Sequence, residues 1–263
     1  MLHRRRTFLR RISSASLIAG FLIATFVVAR AAEPRALLEL FTSQGCSSCP
    51  AADKLLGELV ADPSLVALSL PIDYWDYLGW KDTLANPADS ARQRAYARMR
   101  DDRQVYTPQI VVNGATHALG SDKAAIERAI GQTDKDPGVM SVPMAVTAGR
   151  AGVSVSVESA ESPHNAGEIW LCPLARAVAV AIGRGENRGR TITYHNVVRG
   201  WLKLGEWTGA AATWNVPMSQ IKGDGVDAAA VMLQEGTRDK PGIVLGAAYL
   251  PLPDDRRQTT DDR

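Results

Sequence analysis

Two cysteines separated by two residues have the clearest chemical potential in this sequence. Cys46 and Cys49 enclose two serines, and Pro50 follows directly. Their spacing allows a small disulfide ring or a pair of thiols, and the N-terminus of a following helix would favour a thiolate. Two other interpretations stay open here: a static disulfide, and half of a zinc site. A zinc site needs about four ligands, and the sequence has no second CxxC and no close histidine pair.

The elements that must position this pair favour a redox role. Residues 36–41 are predicted to form a strand, residues 51–60 a helix and residues 65–72 a second buried strand, which together make a βαβ unit. A CxxC near such a unit indicates redox activity. We therefore expect Cys46 to be the exposed nucleophile on the turn and Cys49 to be the resolving thiol inside the helix.

A proline opens a later strand. Thr107 and Pro108 precede the apolar residues 110–112, and Asn113-Gly114 predicts a two-residue hairpin after them. Proline at this position suits the start of a strand or a cis peptide bond in a tight turn. The sequence therefore predicts a proline-led strand in the same unit as the CxxC.

The strand, the CxxC turn with its helix, and the Thr107-Pro108 step before a hairpin resemble the thioredoxin superfamily. That resemblance implies that Pro108 is a cis-proline that faces the CxxC and contacts the substrate backbone, with Thr107 beside it. A closer resemblance is to the DUF1223 family of secreted bacterial proteins. It spans residues 38–200 through LELFTSQGCSSCP, DYWDYLGWKD, RQRAYA, VYTPQIVVNG and GRGENRGRTITYHNVVRG. Since the function of that family is not established, the resemblance implies the fold more firmly than the activity.

Residues 73–106 are predicted to be a helical insertion that caps the CxxC. Four side chains near its start are candidates for a substrate groove or for proton transfer near Cys49: Asp73, Trp75, Asp76 and Trp80. The alternative is that the aromatic side chains form a small satellite core. Residues 89–100 read as a basic amphipathic helix, whose arginines we expect to be solvated.

The sequence changes character after residues 133–138, which are polar and turn-rich and predict a domain boundary. Apolar residues then alternate with polar or small ones, as in residues 153–157, and this pattern predicts short strands. The predicted fold class is an α/β thioredoxin-like domain at 32–132, an all-β sandwich-like domain at 139–252 and a disordered tail at 253–263.

Three features of the second half bear on function. The glycine-rich loop 183–190 carries three arginines and could hold an anion, although such a loop is more often an exposed hairpin turn. His195 is expected to be a structural, hydrogen-bonded residue. Cys172 lies in an apolar run, so we expect a buried and unreactive thiol.

Residues 1–31 predict an export signal. They combine an arginine-rich start, an apolar stretch at 15–28 and an A-x-A-like cleavage site at 29–31. Residues 5–10 resemble a twin-arginine signal, and an ordinary secretory signal is the alternative. The apolar stretch is shorter than the roughly 20 residues that a membrane span needs, so we expect no stable span after cleavage. The mature protein is expected in the periplasm or secreted, where conditions are oxidising.

The charge balance excludes some partners. The net charge of +2 includes six arginines of the signal, and without them 24 basic residues stand against 28 acidic ones, a net charge of −4. Nothing in this balance indicates nucleic-acid binding. We predict a thiol–disulfide oxidoreductase that acts on exported proteins or small thiols, with no metal and no cofactor besides a redox-active Cys46–Cys49 disulfide.

Two other function classes compete with this prediction. One is a binding module or copper chaperone with a structural disulfide, for which His117 is the nearest candidate for an additional ligand. The other is a papain-like cysteine protease with His195 as base and Asn215 as its orienting residue. Pro50 follows Cys49 where that protease family has an aromatic residue, and this departure argues against the protease.

Overall fold

The computed structural model describes residues 33–160 and 164–253. The first part alternates strands and helices: β1 (Ala36–Thr42), α1 (Cys49–Leu59), β2 (Leu65–Pro71), a 3-10 turn (Asp76–Leu78), α2 (Pro87–Met99), β3 (Gln109–Val112), β4 (Thr116–Leu119) and α3 (Lys123–Thr133). The predicted export signal at 1–31 and residues 254–263 of the predicted tail lie outside the described residues.

The strand β1 is the centre of this part, and all seven of its residues are buried. It pairs in parallel with β2 and antiparallel with β3. Because successive side chains of a strand point to opposite faces, Leu38 and Leu40 pack with α1 and α3. Leu37 and Phe41 pack on the other face in a cluster that includes Tyr96 of α2. Helices on both faces explain why β1 reads as a nearly continuous apolar run.

The second part is almost entirely strand. It contains β5 (Met144–Gly149), β6 (Gly152–Val157), β7 (Gly167–Ala181), β8 (Thr191–Val198), β9 (Leu202–Trp207), β10 (Ala212–Pro217), a short helix α4 (Met218–Ile221), β11 (Ala228–Thr237) and β12 (Lys240–Pro251). The structure confirms the prediction of many short strands after residue 138, although β7, β11 and β12 are long.

One sheet contains strands from both parts of the chain. Its order is β12-β11-β7-β8-β2-β1-β3-β4, and β9 also pairs with β7. The two parts meet where β8 runs parallel to β2, with Val197 opposite Ser69. This pairing covers an edge of β2 that would otherwise present unpaired backbone groups. The architecture is therefore mixed α/β, and no domain boundary is visible in the described residues.

A small antiparallel sheet completes the fold in the order β10-β6-β5. The valines that alternate along β6, Val153, Val155 and Val157, are buried and share an apolar cluster with Leu171 of β7 and Val231 of β11. The small sheet therefore packs against one region of the large mixed sheet, and a sandwich-like domain stays a prediction. The division into domains at 32–132 and 139–252 stays a prediction.

The predicted basic helix at 89–100 differs from the structure at two arginines: the side chain of Arg100 is only 11% exposed, and Arg92 is more deeply buried. Arg92 is 4% exposed and its Nε donates to Oε1 of Glu39 at 2.6 Å. The Tyr96 hydroxyl donates to Oε2 of Glu39, and the Arg92 guanidinium also donates to Oε1 of Gln234 on β11. The expectation of fully solvated arginines was therefore wrong for Arg92, because the polar residue Glu39 faces α2 from the middle of β1.

Two smaller expectations concern membranes and the third cysteine. Among the helices of residues 33–160 and 164–253, none has the length and apolarity needed to cross a membrane. Cys172 lies in β7 and is fully buried, as predicted. Burial raises the pKa of its thiol far above the usual value, which makes it a poor nucleophile.

Candidate functional site

The CxxC forms the turn between β1 and α1. Cys46 and Cys49 are joined in a disulfide with their Cα atoms 5.4 Å apart. Cys49 is the first residue of α1 and Pro50 occupies the first helical turn, where its fixed φ suits the start of a helix. The prediction that Cys46 is exposed was wrong: its residue is 4% exposed, and Ser47 and Ser48 cover the outer side of the turn.

The proline-led strand lies beside this disulfide. The Thr107–Pro108 peptide bond is cis, and β3 begins at the next residue. Sγ of Cys46 lies 3.8 Å from the carbonyl oxygen of Thr107, because β3 pairs with β1 just before the CxxC turn, with Gln109 opposite Phe41. Thr107 and Pro108, which were predicted to face the CxxC, are therefore close to it.

Both predicted tryptophans contact the segment around the CxxC. Nε1 of Trp75 donates to Oγ1 of Thr107 at 2.7 Å, and Nε1 of Trp80 donates to Oε1 of Gln44 at 2.8 Å. Gly45 is needed beside Trp75, since a Cβ there would lie 3.2 Å from the Trp75 Cβ and 3.3 Å from its carbonyl oxygen. The two tryptophans therefore bind residues next to the disulfide, Trp75 at Thr107 and Trp80 at Gln44.

The two predicted proton carriers have other contacts. Asp73 Oδ1 accepts a hydrogen bond from Ser90 Oγ at 2.5 Å, and Asp76 Oδ1 accepts one from the backbone N–H of Asp82 at 3.0 Å. The first bond joins the segment after β2 to α2, and the second joins two positions within that segment. A role for Asp73 or Asp76 in proton transfer stays a prediction.

Asp53 is a buried acid that the sequence reasoning missed. It lies one helical turn after Cys49, on the same side of α1, and its residue is 2% exposed. Its Oδ1 accepts a hydrogen bond from Oγ1 of Thr42 at 2.7 Å, and its Oδ2 is buried without a partner. Burial raises the pKa of Asp53 from 3.8 to about 8, with the Thr42 hydrogen bond opposing this shift and the charge of Asp82 adding to it. The available signal was its position on the predicted helix, four residues after Cys49 and three before Leu56, which places the carboxylate on the apolar face.

Asp82 is a second buried carboxyl at the site. It is 4% exposed and accepts hydrogen bonds from the backbone N–H groups of Gln44, at 2.7 Å, and Leu84, at 2.8 Å. Burial raises its pKa, and these backbone hydrogen bonds act in the opposite direction. Asp82 therefore ties the loop before the CxxC to the segment that carries the tryptophans.

The glycine-rich loop 183–190 also belongs to the site. It joins β7 to β8, and its residue Asn187 is 1% exposed. Nδ2 of Asn187 donates to the carbonyl oxygens of Gln44 at 2.9 Å and Cys46 at 2.8 Å, and Oε2 of Glu186 accepts from the Ser47 N–H at 3.2 Å. The loop is therefore a support for the CxxC turn. Its sequence gave no sign of this contact, which spans 141 residues of chain.

The histidines do not complete the rival sites. Both ring nitrogens of His117 already have partners, the Tyr106 hydroxyl at 2.9 Å and Asp102 Oδ2 at 3.1 Å. His195 packs against Gly57 of α1, and Asn215 pairs with Ser154 in the small sheet. In the residues that the structure describes, no group of three or more His, Cys, Asp or Glu side chains is arranged to hold a metal ion.

The part of the chain that forms this site matches a known protein family. A family model described as a protein of unknown function (DUF1223) matches residues 37–234. The chain is also similar to the crystal structure of a structural-genomics target from Agrobacterium tumefaciens. The match covers 85% of this chain and 96% of the other chain, with a TM-score of 0.75 and 28% sequence identity. No curated protein matches the chain. The family match includes the CxxC turn, the Thr107-Pro108 step and the loop 183–190.

Proposed function

The chain belongs to the DUF1223 family, and we propose that it is an exported thioredoxin-like protein that catalyses thiol–disulfide exchange through Cys46 and Cys49. The observation that best supports this proposal is that Sγ of Cys46 lies 3.8 Å from the carbonyl oxygen of Thr107, while Cys49 is the first residue of α1. An extended substrate could pair with the backbone at Thr107 and bring its own sulfur to Cys46.

The order of the elements supports the thioredoxin-like assignment. Four adjacent strands run β2-β1-β3-β4, with β2 parallel to β1 and β3 antiparallel to it. The helices α1 and α3 cover one face, and α2 contributes to the core on the other face. This arrangement, with the CxxC after β1 and the cis-proline before β3, agrees with what the sequence resemblance implies.

The proposed reaction proceeds through a mixed disulfide. In the reducing direction, the Cys46 thiolate attacks one sulfur of a substrate disulfide, a new S–S bond forms, and the other substrate sulfur leaves as a thiolate and takes up a proton. Cys49, as a thiolate, then attacks Sγ of Cys46 and releases the second substrate sulfur. Two electrons pass from the protein to the substrate, and the same steps in reverse oxidise a substrate dithiol.

Asp53 is the proposed proton acceptor for Cys49. Its place one turn along α1 suits proton transfer, either directly or through one water molecule. A pKa of about 8 lies near neutral pH, where a general acid–base group both accepts and releases a proton readily. The unpartnered Oδ2 of Asp53 leaves one carboxyl oxygen free for this exchange.

A structural disulfide in a binding module is the second candidate. The observation that favours it is burial, since Cys46 is 4% exposed and Cys49 is fully buried. Ser48 Oγ and the Thr107 carbonyl oxygen lie 3.5 Å and 3.8 Å from Sγ of Cys46, so a substrate sulfur reaches Cys46 only if these neighbours move. The two candidates therefore differ in whether the disulfide reacts in the folded protein.

Turnover with insulin as a disulfide substrate tests the proposal. Wild type is expected to accelerate insulin reduction by dithiothreitol, and Cys46→Ser is expected to abolish the acceleration. The reduced Cys49→Ser variant lacks the resolving thiol, so it should accumulate a mixed disulfide with insulin that mass spectrometry detects. Cys172→Ser is the matched control and should behave like wild type, because its thiol is buried in β7.

A different result would show that the disulfide is structural. If dithiothreitol exposes no alkylatable thiol in the folded wild type, and the three thiols of Cys46, Cys49 and Cys172 react only after denaturation, the Cys46–Cys49 disulfide is structural. The binding module then becomes the better description of the protein.

A further inference from the structure

A groove runs along α1 beside the CxxC turn, between that helix and β8. It has a volume of about 560 Å³, which is within the range of roughly 300–1,000 Å³ typical of small-molecule sites. Pro50, Lys54 and Gly57 line it from α1, and Arg190 and His195 line it from the other side. We call it the α1–β8 groove.

The lining of the α1–β8 groove has an excess of positive charge. Lys54 and Arg190 are exposed cations, Glu58 is the one acid among the lining residues, and His195 adds an imidazole ring. A net positive groove attracts an anionic ligand over a neutral or cationic one. The mature chain as a whole is predicted to have a negative net charge, so the groove is opposite in sign to the rest of the protein.

The wall formed by β8 is packed closely on the helix. A Cβ at Gly57 would lie 2.8 Å from both Cδ2 and Nε2 of His195, so the imidazole lies directly against the α1 backbone. Strand β8 is itself held by its long antiparallel pairing with β7, where His195 is opposite Ala177. Apart from Arg190, at the end of the loop 183–190, the residues that line the groove therefore belong to two regular elements.

One end of the groove lies at Pro50, next to the CxxC turn. Pro50 follows Cys49 directly, and Lys54 is five residues along α1, a rise of about 7.5 Å. At the other wall, Nη1 of Arg190 donates to Oδ1 of Asn187 at 3.3 Å, and Asn187 in turn binds the Cys46 carbonyl oxygen. An extended tripeptide spans about 10 Å, so a ligand of that size reaches from these cations to the turn.

We propose that the α1–β8 groove binds the carboxylates of a small disulfide substrate, and of the thiols that it becomes. This inference rests on the proposed function, because it assigns a substrate class to the same site. When such a disulfide oxidises the reduced protein, it takes two electrons from the Cys46–Cys49 dithiol and leaves as two thiols that carry the two protons.

The test compares disulfides of different charge. Reduced protein is mixed with glutathione disulfide, which is anionic, with hydroxyethyl disulfide, which is neutral, or with cystamine, which is cationic, and the second-order rate of thiol loss is measured. The ratio of the glutathione rate to the hydroxyethyl rate is the readout, since dividing by the neutral rate removes changes in Cys46 reactivity. Lys54→Gln is expected to lower this ratio by about threefold to fivefold, and Lys54→Glu by more.

Lys240→Gln is the matched control, because Lys240 is an exposed lysine at the start of β12, and it should leave the ratio unchanged. High salt should lower the wild-type ratio, whereas the rate ratio of cystamine to hydroxyethyl disulfide should rise in Lys54→Gln. A ratio that is equal in wild type, Lys54→Gln and Lys54→Glu overturns the groove assignment. Failure of all three disulfides to react would instead reject the proposed exchange function itself.

Discussion

The buried carboxyl of Asp53 makes the stability of the protein depend on pH in a specific way. Its pKa is about 8 in the folded protein and is expected near 3.8 in the unfolded chain. Between these values the folded state keeps the proton and the unfolded state loses it. Asp53 therefore contributes stability that is complete below pH 3.8 and is lost as the pH rises towards 8, which is the reverse of an ion-paired carboxylate.

The magnitude follows from proton linkage. Each pH unit between the two pKa values lowers the free energy of unfolding by about 1.4 kcal/mol for one differing proton. From pH 5 to pH 7 the contribution of Asp53 should fall by about 2.7 kcal/mol. Asp53→Asn keeps an oxygen that can accept from Thr42 but cannot ionise, so it removes this dependence.

Urea unfolding of the oxidised protein at several pH values measures the effect. Other buried acids, such as Asp89 with a pKa raised to about 7 by burial, titrate in both proteins. Acids that do not interact with Asp53 cancel in the difference between the two proteins, and the free energy of unfolding of wild type minus that of Asp53→Asn should become about 2.7 kcal/mol more negative from pH 5 to pH 7. Asp62→Asn is the control: hydrogen bonds from Ser64 lower the pKa of this exposed residue, so its difference from wild type should be flat over this range. A flat difference for Asp53→Asn would show that Asp53 ionises normally, and its role as proton acceptor would be lost.

Two further predictions test the buried polar contacts. Asn187→Ala removes the donor shared by the carbonyls of Gln44 and Cys46, so it should lower the free energy of unfolding by about 1–3 kcal/mol, whereas the exposed neighbour Arg188→Ala should change it little. Arg92→Met leaves the Glu39 carboxylate buried without its cation and should lower the free energy of unfolding by about 3–5 kcal/mol. Arg35 forms an exposed pair with Glu127, so Arg35→Met should lower it by less than about 1 kcal/mol. Equal losses for the two arginine variants in urea unfolding would contradict this account.

Local sequence patterns predicted the centre of the fold because local chemistry determines it. The run at 36–41 became β1, and the CxxC-Pro sequence became the first turn of α1. Thr107-Pro108 was placed before β3, where the structure has it. Each of these features depends on residues within about ten positions of one another, which is the range over which strand period and helix-start signals act.

The missed contacts of Arg92 and Asn187 depend on packing between segments that are distant in the sequence. Arg92 looks like part of a solvated face, and only the position of β1 under α2 brings it to Glu39. Asn187 sits in a loop with the composition of an exposed turn, and it is buried because the β7–β8 hairpin ends at the CxxC turn. The sequence pattern gives the type of each strand, but the single parallel contact between Ser69 and Val197, which sets this hairpin beside β2, has no local signal.

The predicted thioredoxin-like segment at 32–132 depends on contacts with the strands that follow it in the chain. A fragment that ends near residue 132 would keep β1, α1 and the disulfide, but the free edge of β2 would be exposed. The carbonyl oxygens of Gln44 and Cys46 would lose the Asn187 amide, and the Ser47 N–H would lose Glu186. The α1–β8 groove would also lose one wall. The later strands therefore do more than extend the sheet: they hold the main chain of the CxxC turn and form one side of the surface next to it.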